Sequence, residues 1–444
     1  MKRLSINISV LVFLFTFLSI IINHNSTLFC QTNNLRFNHL SIEDGLPDDG
    51  FTCIIQDHLG FIWIGTGNGF SKYDGYSFVN YYHNEKDSTG LIGRKVLCLM
   101  EDSNGDIWIG TYFGVSILLR DEDRFISYEY DKKDPNSLSH KWVTKIFEDK
   151  ERNVWIGTNG GGLNFIDREL LLDKKGKLIF QHITLDNFIE GTEFIFDIME
   201  DSENTIWACT KNGLLKIPDG KAELIQPIAS KFYNQRNHFL TIINDKQGLY
   251  WLGTSGNGVA LYNKDTKDTK DFTFFADNNP SLNKCSSSKI ASLLLDRNGN
   301  LWAGARDEQD RISGGFFLFD RTAKKLNIIS NNPLNPYSIS KAYGSTRSII
   351  EDNFGNIWFT NHWGKINQLI PQNNLFKYYR NYSGIENSIL FTKNTRMLEA
   401  KDGRLWFTTE NGLFEYLSDE ERFVKIIADN QDCSCTLDTV CWRI

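Results

Sequence analysis

The segment VLCLMEDSNGDIWIGT, residues 96–111, decides the fold of this chain. It begins with an uninterrupted apolar run, a pattern typical of a strand that is buried on both faces. Asp102 and Gly105 then have the spacing of a tight turn, in which the carboxylate accepts backbone hydrogen bonds and the glycine adopts a positive φ. A second apolar run that contains Trp108 follows the turn. The segment therefore predicts two antiparallel strands joined by a tight turn.

The same pattern recurs along the chain at intervals of 44 to 56 residues. Eight tryptophans occupy its second strand: Trp63, Trp108, Trp155, Trp207, Trp251, Trp302, Trp358 and Trp406. An aspartate stands six residues before each of the first seven: Asp57, Asp102, Asp149, Asp201, Asp245, Asp296 and Asp352. Ala400 replaces the aspartate in the eighth copy. The fixed place of these aspartates in a turn favours a structural role, with catalytic or calcium-binding carboxylates as the alternative.

Each copy of the pattern predicts four short strands. In the first copy, the third and outer strands correspond to Gly69 to Tyr73 and Phe78 to Tyr82. One such sheet cannot bury both of its faces, so repetition around an axis is expected, and units of this length match the blades of a β-propeller. A linear solenoid is the alternative, but its rungs are shorter than these units.

We therefore predict an all-β protein with a seven-bladed β-propeller of four-stranded blades at residues 31–374. The first blade of a second, incomplete propeller is predicted at residues 375–444. The segment from Arg36 to Ser41 resembles the outer strands of other copies. We expect it to pair into the seventh blade and remove the free edge of that sheet.

The N-terminus has the pattern of an export signal. Basic residues near the start precede an apolar run over residues 6–22. We predict a signal peptide at residues 1–30, with an uncleaved N-terminal anchor and lipid attachment at Cys30 as the alternatives. Export of this kind predicts a periplasmic location.

Eight cysteines in an exported chain raise the question of a disulfide framework. Cys53 and Cys98 each lie ten residues before a repeat tryptophan, within apolar runs, which predicts buried free thiols. Cys433, Cys435 and Cys441 lack the paired spacing of a zinc site. We expect neither a metal nor a cofactor.

The charge distribution excludes one class of partner. The formal net charge is −7, and the basic residues form no cluster along the sequence. A basic patch is what attracts nucleic acid or an anionic membrane surface. We expect no nucleic-acid partner, and membrane contact only through the N-terminal segment or through a C-terminal span outside this chain.

The loops between the second and third strands, and those before each inner strand, open on one face of a propeller. Their side chains are a mixture of aromatic, amide and guanidinium groups, which suits a sugar, since flat rings stack on its C–H face and planar donors pair with hydroxyl or acidic groups. The candidate ligand-binding residues are Arg94, Tyr112, Trp142, Asn159, Arg306, His362 and Trp363. Trp142 and Trp363 stand out because both fall outside the repeat register. The alternative is that these residues only pack against a second propeller or line a solvated rim.

The repeat resembles the two-component regulator propeller family, which forms periplasmic sensor regions of hybrid histidine kinases in Bacteroidetes. The resemblance rests on the opening FNHLSIEDGLP at residues 37–47, on the pattern Asp-x-x-Gly-x-x-Trp-x-Gly-Thr, and on Tyr73-Asp74-Gly75 at the end of the first unit. It implies two tandem seven-bladed propellers, a β-sandwich, a membrane helix and a kinase. This chain differs in that its eighth copy is followed only by the start of a ninth, at Ser434 to Ile444, so we expect a truncated form.

The resemblance implies a ligand-sensing module, without turnover, that detects carbohydrate-derived or other periplasmic signals. It also implies a homodimer in the full receptor, with the kinase in a part that this chain lacks. Two alternatives remain open at this point. One is an extracytoplasmic carbohydrate-active enzyme, a glycosidase or lyase that uses the same face, and the other is a propeller that mediates protein contacts.

Overall fold

The structure is a computed structural model. It describes residues 35–85, 90–169, 178–183, 189–218, 220–226, 238–245, 248–264, 272–275, 289–306, 315–320, 325–329, 331–332, 335, 337–340, 345–370, 396–409, 412–417 and 422–426. Of Arg306 it describes the backbone only. The predicted signal peptide at residues 1–30 lies outside these ranges. Within the ranges, no helix has the length and apolar character needed to cross a membrane.

The described residues form eight four-stranded antiparallel sheets and one short 3-10 helix, Ile42–Asp44. Blade 1 contains β2 (Cys53–Gln56), β3 (Ile62–Thr66), β4 (Gly69–Tyr73) and β5 (Phe78–Tyr81). Blade 2 contains β6 (Val96–Glu101), β7 (Ile107–Thr111), β8 (Gly114–Leu119) and β9 (Arg124–Glu129). Blade 3 contains β10 (Val143–Glu148), β11 (Val154–Thr158), β12 (Leu163–Ile166) and β13 (Gln181–Ile183). Blade 4 contains β14 (Ile195–Glu200), β15 (Ile206–Thr210), β16 (Gly213–Ile217) and β17 (Glu223–Ile225).

The remaining sheets follow the same plan. Blade 5 contains β18 (Phe239–Asn244), β19 (Leu249–Thr254), β20 (Val259–Asn263) and β21 (Phe272–Phe274). Blade 6 contains β22 (Lys289–Leu295), β23 (Leu301–Arg306), β24 (Phe316–Asp320) and β25 (Lys325–Ile329). Blade 7 contains β26 (Thr346–Glu351), β27 (Ile357–Asn361), β28 (Ile366–Leu369) and β1 (Phe37–Leu40). The eighth sheet contains β29 (Arg396–Glu399), β30 (Leu405–Thr409), β31 (Gly412–Leu417) and β32 (Arg422–Ile426). The predicted all-β fold of four-stranded blades is confirmed.

Seven of the sheets close into a ring. The first strand of each blade contacts the first strand of the next, in the order β2, β6, β10, β14, β18, β22 and β26, and β26 contacts β2 again. These seven strands are therefore the innermost ones. Each ring blade then runs outward as an antiparallel meander, because successive strands pair in chain order until the outer strand is reached.

The N-terminal strand completes the ring. β1 pairs antiparallel with β28, with Phe37 opposite Leu369 and Leu40 opposite Ile366. Phe37 is buried and meets the ring of Phe359 edge to face at 5.8 Å. This pairing covers the outer edge of blade 7 and confirms the role predicted for Arg36 to Ser41.

The repeated aspartates and tryptophans are joined by hydrogen bonds. In blade 1, Oδ1 of Asp57 accepts the backbone amides of Leu59 and Phe61, and Oδ2 accepts the indole Nε1 of Trp63 at 2.8 Å. The same indole-to-carboxylate bond is formed by five further tryptophans: Trp108, Trp155, Trp207, Trp302 and Trp358. The geometry explains the spacing of six residues and supports the structural interpretation of these carboxylates.

The glycine of the turn is needed for its backbone angle. Gly105 has a φ of 86°, and Gly60 has a φ of 93°. Two copies lack this glycine, and there Arg152 and Asn204 adopt φ values of 69° and 61° in the same left-handed region. The turn geometry is therefore retained even where the residue carries a β-carbon, at some cost in backbone energy.

Neighbouring blades are joined by a second set of hydrogen bonds. The residue just before the repeat aspartate caps the turn of the preceding blade. Glu101 accepts the backbone amide of His58 at 2.7 Å, and Glu148 accepts that of Ser103 at 2.8 Å. Three more junctions share the arrangement: Glu200 with Lys150, Glu351 with Arg297, and Gln56 with Asn353. The last of these joins blade 7 to blade 1 and so reinforces the closure of the ring.

The apolar core lies between the blades. The seven ring tryptophans are each at most 6% exposed, and Trp358 of blade 7 packs against Ile54 and Ile62 of blade 1. The thiols of Cys53 and Cys98 are free and buried, as the sequence predicts, and burial raises the pKa of Cys53 to about 12. These thiols therefore act as small apolar side chains within the core.

The chain divides into two compact units, Met1–Asn331 with Tyr337–Pro371, and Asn332–Pro336 with Gln372–Ile444. In the eighth copy, the sequence pattern predicts a third strand at Gly412 to Tyr416 and a fourth at Arg422 to Ile426. β31 and β32 occupy these positions, and the buried apolar residues of the described sheet are Phe414 and Phe423. The pattern of an outer strand also occurs at Leu375 to Arg380, but that segment and the start of a ninth copy at Ser434 to Ile444 lie outside the described residues. The domain limits at residues 374 and 375 stay a prediction.

Candidate functional site

Strand direction decides which loops share a face of the ring. In an antiparallel blade, the second strand ends on the side where the first strand begins. The loop between the second and third strands and the loop that leads into the first strand therefore open on the same side, which we call the loop face. The aspartate turns open on the opposite side, which we call the turn face. All seven predicted ligand-binding residues lie in or next to loops of the loop face.

Tyr112 and Trp142 are brought into direct contact at the junction of blades 2 and 3. Their rings meet edge to face with centroids 4.5 Å apart, and both side chains are half-buried. The ammonium of Lys95 lies 5.1 Å from the centre of the Tyr112 ring. The three groups form a fixed aromatic surface with a positive charge beside it, and Lys95 is a residue that the sequence analysis did not select.

The backbone holds Trp142 in place. Its carbonyl accepts the amide of Asn159 at 2.9 Å, and its own amide donates to Nδ1 of His140 at 3.2 Å. Burial and the nearby ammonium of Lys141 lower the pKa of His140. The imidazole is therefore neutral at neutral pH and can keep Nδ1 as an acceptor.

Arg94 forms its contact outside this pair of rings. The guanidinium of Arg94 is exposed and forms an ion pair of 2.6 Å with Glu85. The side chain of Arg306 is not among the described ones. The backbone of Asn159 lies beside the pair. It also forms an isolated antiparallel β-bridge with Phe194 of the next blade.

His362 and Trp363 form a second group, at the junction of blades 7 and 1. Their ring centroids are 4.9 Å apart. Trp363 has a φ of 58°, a value that bulky residues rarely adopt, and its amide donates to the carbonyl of Asp49 at 3.1 Å. The indole is 56% exposed. Backbone strain that presents a large aromatic ring to solvent is a frequent feature of binding sites.

Five of the seven candidates are therefore divided between two blade junctions of the loop face rather than gathered in one cluster. Tyr112, Trp142 and the backbone of Asn159 meet at one junction, and His362 and Trp363 meet at the other. Whether these residues bind a ligand stays a prediction.

A partly buried ion pair on the innermost strands was not anticipated from the sequence pattern. Nζ of Lys145 lies 2.8 Å from Oδ1 of Asp197, and Oδ2 of Asp197 accepts the hydroxyl of Thr241 at 2.9 Å. Burial lowers the pKa of Lys145, but the adjacent Asp197 carboxylate more than offsets this and holds that pKa above its ordinary value. The three residues therefore join blades 3, 4 and 5 near the axis of the ring.

A signal for this ion pair is present in the sequence. All three residues stand ten residues before a repeat tryptophan, as do Cys53 and Cys98. Aligning the copies at this position shows two opposite charges in consecutive blades. Within the described ranges, no group of three or more histidine, cysteine, aspartate or glutamate residues has an arrangement that could hold a metal ion.

Comparison with known proteins identifies the repeat. Three segments, residues 45–68, 90–113 and 137–160, match the sequence profile of the family described as two component regulator propeller. The chain carries two-component regulator propeller repeats. Each matched segment spans one aspartate turn and its tryptophan strand, so the profile covers the part of the blade that the hydrogen bonds of Asp57 and its equivalents hold together. The resemblance found from the sequence is confirmed.

Relatives of known structure support the fold. An extracellular domain from B. thetaiotaomicron, described as part of a hybrid two-component system, is 23% identical with a TM-score of 0.63, and the match covers 89% of this chain and 55% of that one. Virginiamycin B lyase from Staphylococcus aureus is 16% identical with a TM-score of 0.55, over 76% of this chain and 99% of that one. At these identities the likeness shows the fold alone.

A curated relative is similar in sequence over a shorter stretch. Histidine kinase P4 from Formosa agariphila is 38% identical over 80 residues, which is 18% of this chain and 5% of the relative. The chain thus matches a small part of that kinase and about half of the extracellular domain from B. thetaiotaomicron.

Proposed function

We propose that the ring of two-component regulator propeller repeats is an extracytoplasmic ligand-sensing module that binds carbohydrate-derived molecules. The repeats themselves support this proposal, because relatives that share them or share the fold are described as a histidine kinase and as an extracellular domain of a hybrid two-component system. The apolar run near the N-terminus supports a periplasmic location. In this proposal the kinase reaction belongs to another part of the complete receptor.

The contact between Tyr112 and Trp142 carries the proposal. Both rings lie outside the set of tryptophans that build the blades, and they meet edge to face on the loop face. Each ring of this pair has a flat face on which the C–H groups of a pyranose can stack, and a ring held by its neighbour loses little conformational entropy when a ligand binds. The ammonium of Lys95 above Tyr112 adds a donor for hydroxyl or acidic groups.

We further propose that this site binds without turnover. A sensor reports occupancy, so it needs affinity and a geometry that differs between the bound and the free state, whereas an enzyme needs groups that act on a bond of the ligand. The groups gathered at the pair are two rings, an ammonium, backbone amides and the imidazole of His140, whose Nδ1 already accepts the amide of Trp142. They suit recognition of a sugar.

A glycan panel tests both parts of the proposal. The purified chain is incubated with mono- and oligosaccharides, neutral and acidic, while the melting temperature is followed and the products are separated by chromatography. A rise in melting temperature without new products is expected. Product formation would instead establish a carbohydrate-active enzyme, and the absence of both effects across the panel would favour a protein-contact propeller.

A further inference from the structure

Blade 4 covers its repeat tryptophan with smaller side chains than blade 1 does. In blade 1, Phe70 and Tyr81 are cross-strand partners that stack at 4.8 Å and cover the face of Trp63. In blade 4 the same two positions, opposite each other on β16 and β17, are Leu214 and Ile225. Two aliphatic side chains thus replace two stacked aromatic rings.

The space left by this replacement is a crevice between the outer parts of blades 4 and 5. It has a volume of about 300 Å³. The buried rings of Trp207 and Tyr262 lie beneath it, 1% and 2% exposed, with ring centroids 6.0 Å apart. A cavity of this size is at the lower end of the range for small-molecule sites.

Charged groups of both signs line the crevice. The ammonium of Lys216 lies 5.8 Å from the centre of the Trp207 ring, and the carboxylate of Glu223 comes from the residue opposite Lys216 on β17. On the other wall, Lys264 is only 14% exposed and lies 2.8 Å from Glu203 and 3.6 Å from Asp201. Two ammonium groups and the carboxylates of Asp201, Glu203 and Glu223 therefore line one small crevice.

The equivalent position in blade 1 is filled. Lys72, the counterpart of Lys216, lies over the rings of Phe61 and Trp63 at 4.9 and 5.9 Å. Its strand partner is Val79, which occupies the place of Glu223. The polar lining and the open volume therefore occur together in blade 4, which is the combination that a ligand site requires.

We propose that this crevice binds a hexuronate, a sugar acid of monosaccharide size. Its carboxylate pairs with the ammonium of Lys216, since a charge-assisted hydrogen bond is the strongest polar contact available there. Its hydroxyls donate to the carboxylate of Glu223.

This second site does not depend on the loop face. It uses other residues, in another pair of blades, so either proposal can fail while the other holds. A Trp142→Ala variant is expected to lose the loop-face ligand and to bind glucuronate in the crevice with the affinity of the unmodified chain. The two proposals are thereby distinguishable in one set of titrations.

Calorimetric titration of the full chain with D-glucuronate tests the site, with D-glucose and acetate as matched probes. Glucuronate is expected to bind at a single site, the crevice. Glucose and acetate are each expected to bind there at least about tenfold more weakly than glucuronate. Lys216→Met is expected to weaken glucuronate binding by about tenfold or more. Lys72→Met, the same change over the filled position of blade 1, is the control and should leave the affinity unchanged.

A filling variant provides an independent check. Leu214→Phe with Ile225→Tyr copies the blade 1 pair into blade 4 and is expected to abolish glucuronate binding while the circular dichroism spectrum stays that of the unmodified chain. If this variant does not fold, Glu223→Val, which copies Val79 of blade 1 and removes both acceptor oxygens from the wall, replaces it and should weaken binding. Any of three results would overturn the proposal. Glucuronate binding could survive both Lys216→Met and the filling variant, acetate could bind as tightly as glucuronate, or glucuronate could show no saturable binding.

Discussion

The indole Nε1 of Trp108 donates a hydrogen bond of 3.0 Å to Oδ2 of Asp102. The other oxygen of the same carboxylate accepts the backbone amides of Asn104 and Asp106. One buried carboxylate therefore holds both the turn and the tryptophan that packs between blades. This is why an aspartate and a tryptophan six residues apart recur around the ring.

Asp102→Asn is expected to destabilise the ring by about 1–3 kcal/mol. The carboxamide has one acceptor oxygen where the carboxylate has two, so its NH2 group must face either the indole N–H or the two backbone amides. A buried donor then lacks an acceptor. The measurement is thermal unfolding followed by circular dichroism. Asp121→Asn, which removes an exposed carboxylate in the same blade, is the control and should change stability by less than about 0.5 kcal/mol. Equal melting temperatures for the two variants would contradict the assignment.

Glu148 joins blade 3 to blade 2, and its titration gives a second prediction. It accepts the backbone amide and the hydroxyl of Ser103 at 2.8 and 2.9 Å. Burial raises the pKa of Glu148, and the hydrogen bonds from Ser103 only partly oppose this. A carboxyl group whose folded pKa exceeds its unfolded value stabilises the fold below the unfolded pKa, and this contribution is lost as the pH rises through the folded pKa.

Glu148→Gln retains an acceptor oxygen for the amide of Ser103 and does not ionise. Its melting temperature relative to the unmodified chain is therefore expected to increase between about pH 4 and pH 7. Gln56 already performs this role with a carboxamide, since it accepts the amide of Asn353 at 2.7 Å. Glu151→Gln, at an exposed position of the same blade, should show no such pH dependence. Parallel pH profiles for the two variants would show that burial does not perturb Glu148.

The sequence predicts the parts of the fold that depend on local patterns. The turn at Asp102, the strand of Trp108 and the four-stranded unit follow from residue type and spacing alone. The glutamate before the aspartate is equally visible, as in Glu101 and Glu148, but its partner lies one blade earlier. Which amide it meets depends on how the blades pack, which no local pattern contains.

The candidate site was predictable to a lesser degree. Trp142 and Trp363 stand out because they interrupt the repeat register, and both do lie on the loop face. The contact of Trp142 with Tyr112 and the left-handed backbone of Trp363 arise from loop conformation, which the repeat does not determine. Lys95 was missed because a lone lysine beside an arginine is an ordinary surface pattern.

Closure of the ring by β1 makes Phe37 a sensitive position. Phe37 is 2% exposed and packs on Phe359, so Phe37→Ala is expected to cost about 3–5 kcal/mol. Deletion of residues 31–45 should lower the melting temperature further, because it also exposes the edge of β28. Asn38→Ala, at the next and exposed position of the strand, is the matched control with little expected effect. An unchanged melting temperature in the deletion variant would argue against closure by this strand.

The aromatic residues of the loop face are expected to contribute to glycan affinity. Trp142→Ala and Trp363→Ala should each weaken binding of a ligand found in the glycan panel by roughly 1 kcal/mol or more. Phe354→Ala is the control, because Phe354 is 85% exposed but lies in the aspartate turn of blade 7, on the turn face. The measurement is calorimetric titration. Wild-type affinity in both tryptophan variants would move the site elsewhere, and equal losses in all three would indicate non-specific stacking.

The sheet of the second unit lacks two features that hold the ring blades together. Its first strand, Arg396–Glu399, is exposed at every residue, whereas three residues of the inner strand Val96–Glu101 are buried. Ala400 also stands where the ring blades have an aspartate, although the backbone bonds of the turn to Gly403 and Arg404 are formed. A four-stranded sheet with little buried apolar surface opens at low free energy. We therefore expect its amides to exchange with solvent at least about tenfold faster than those of blade 2.

Ala400→Asp tests this explanation by adding the missing carboxylate. Because the turn already has the backbone hydrogen bonds of the ring blades, the new carboxylate is expected to accept the indole N–H of the half-buried Trp406, as Asp102 does for Trp108. A hydrogen bond to a charged group contributes about 1.5–3 kcal/mol, so exchange in β29 to β32 should become at least about tenfold slower. Ala400→Leu, which adds similar bulk without an acceptor, is the control and should leave exchange fast. Hydrogen exchange of the full chain, read by mass spectrometry of peptides from both units, distinguishes the outcomes. Protection in the unmodified sheet equal to that of blade 2 would show that the sheet does not need the carboxylate for its stability.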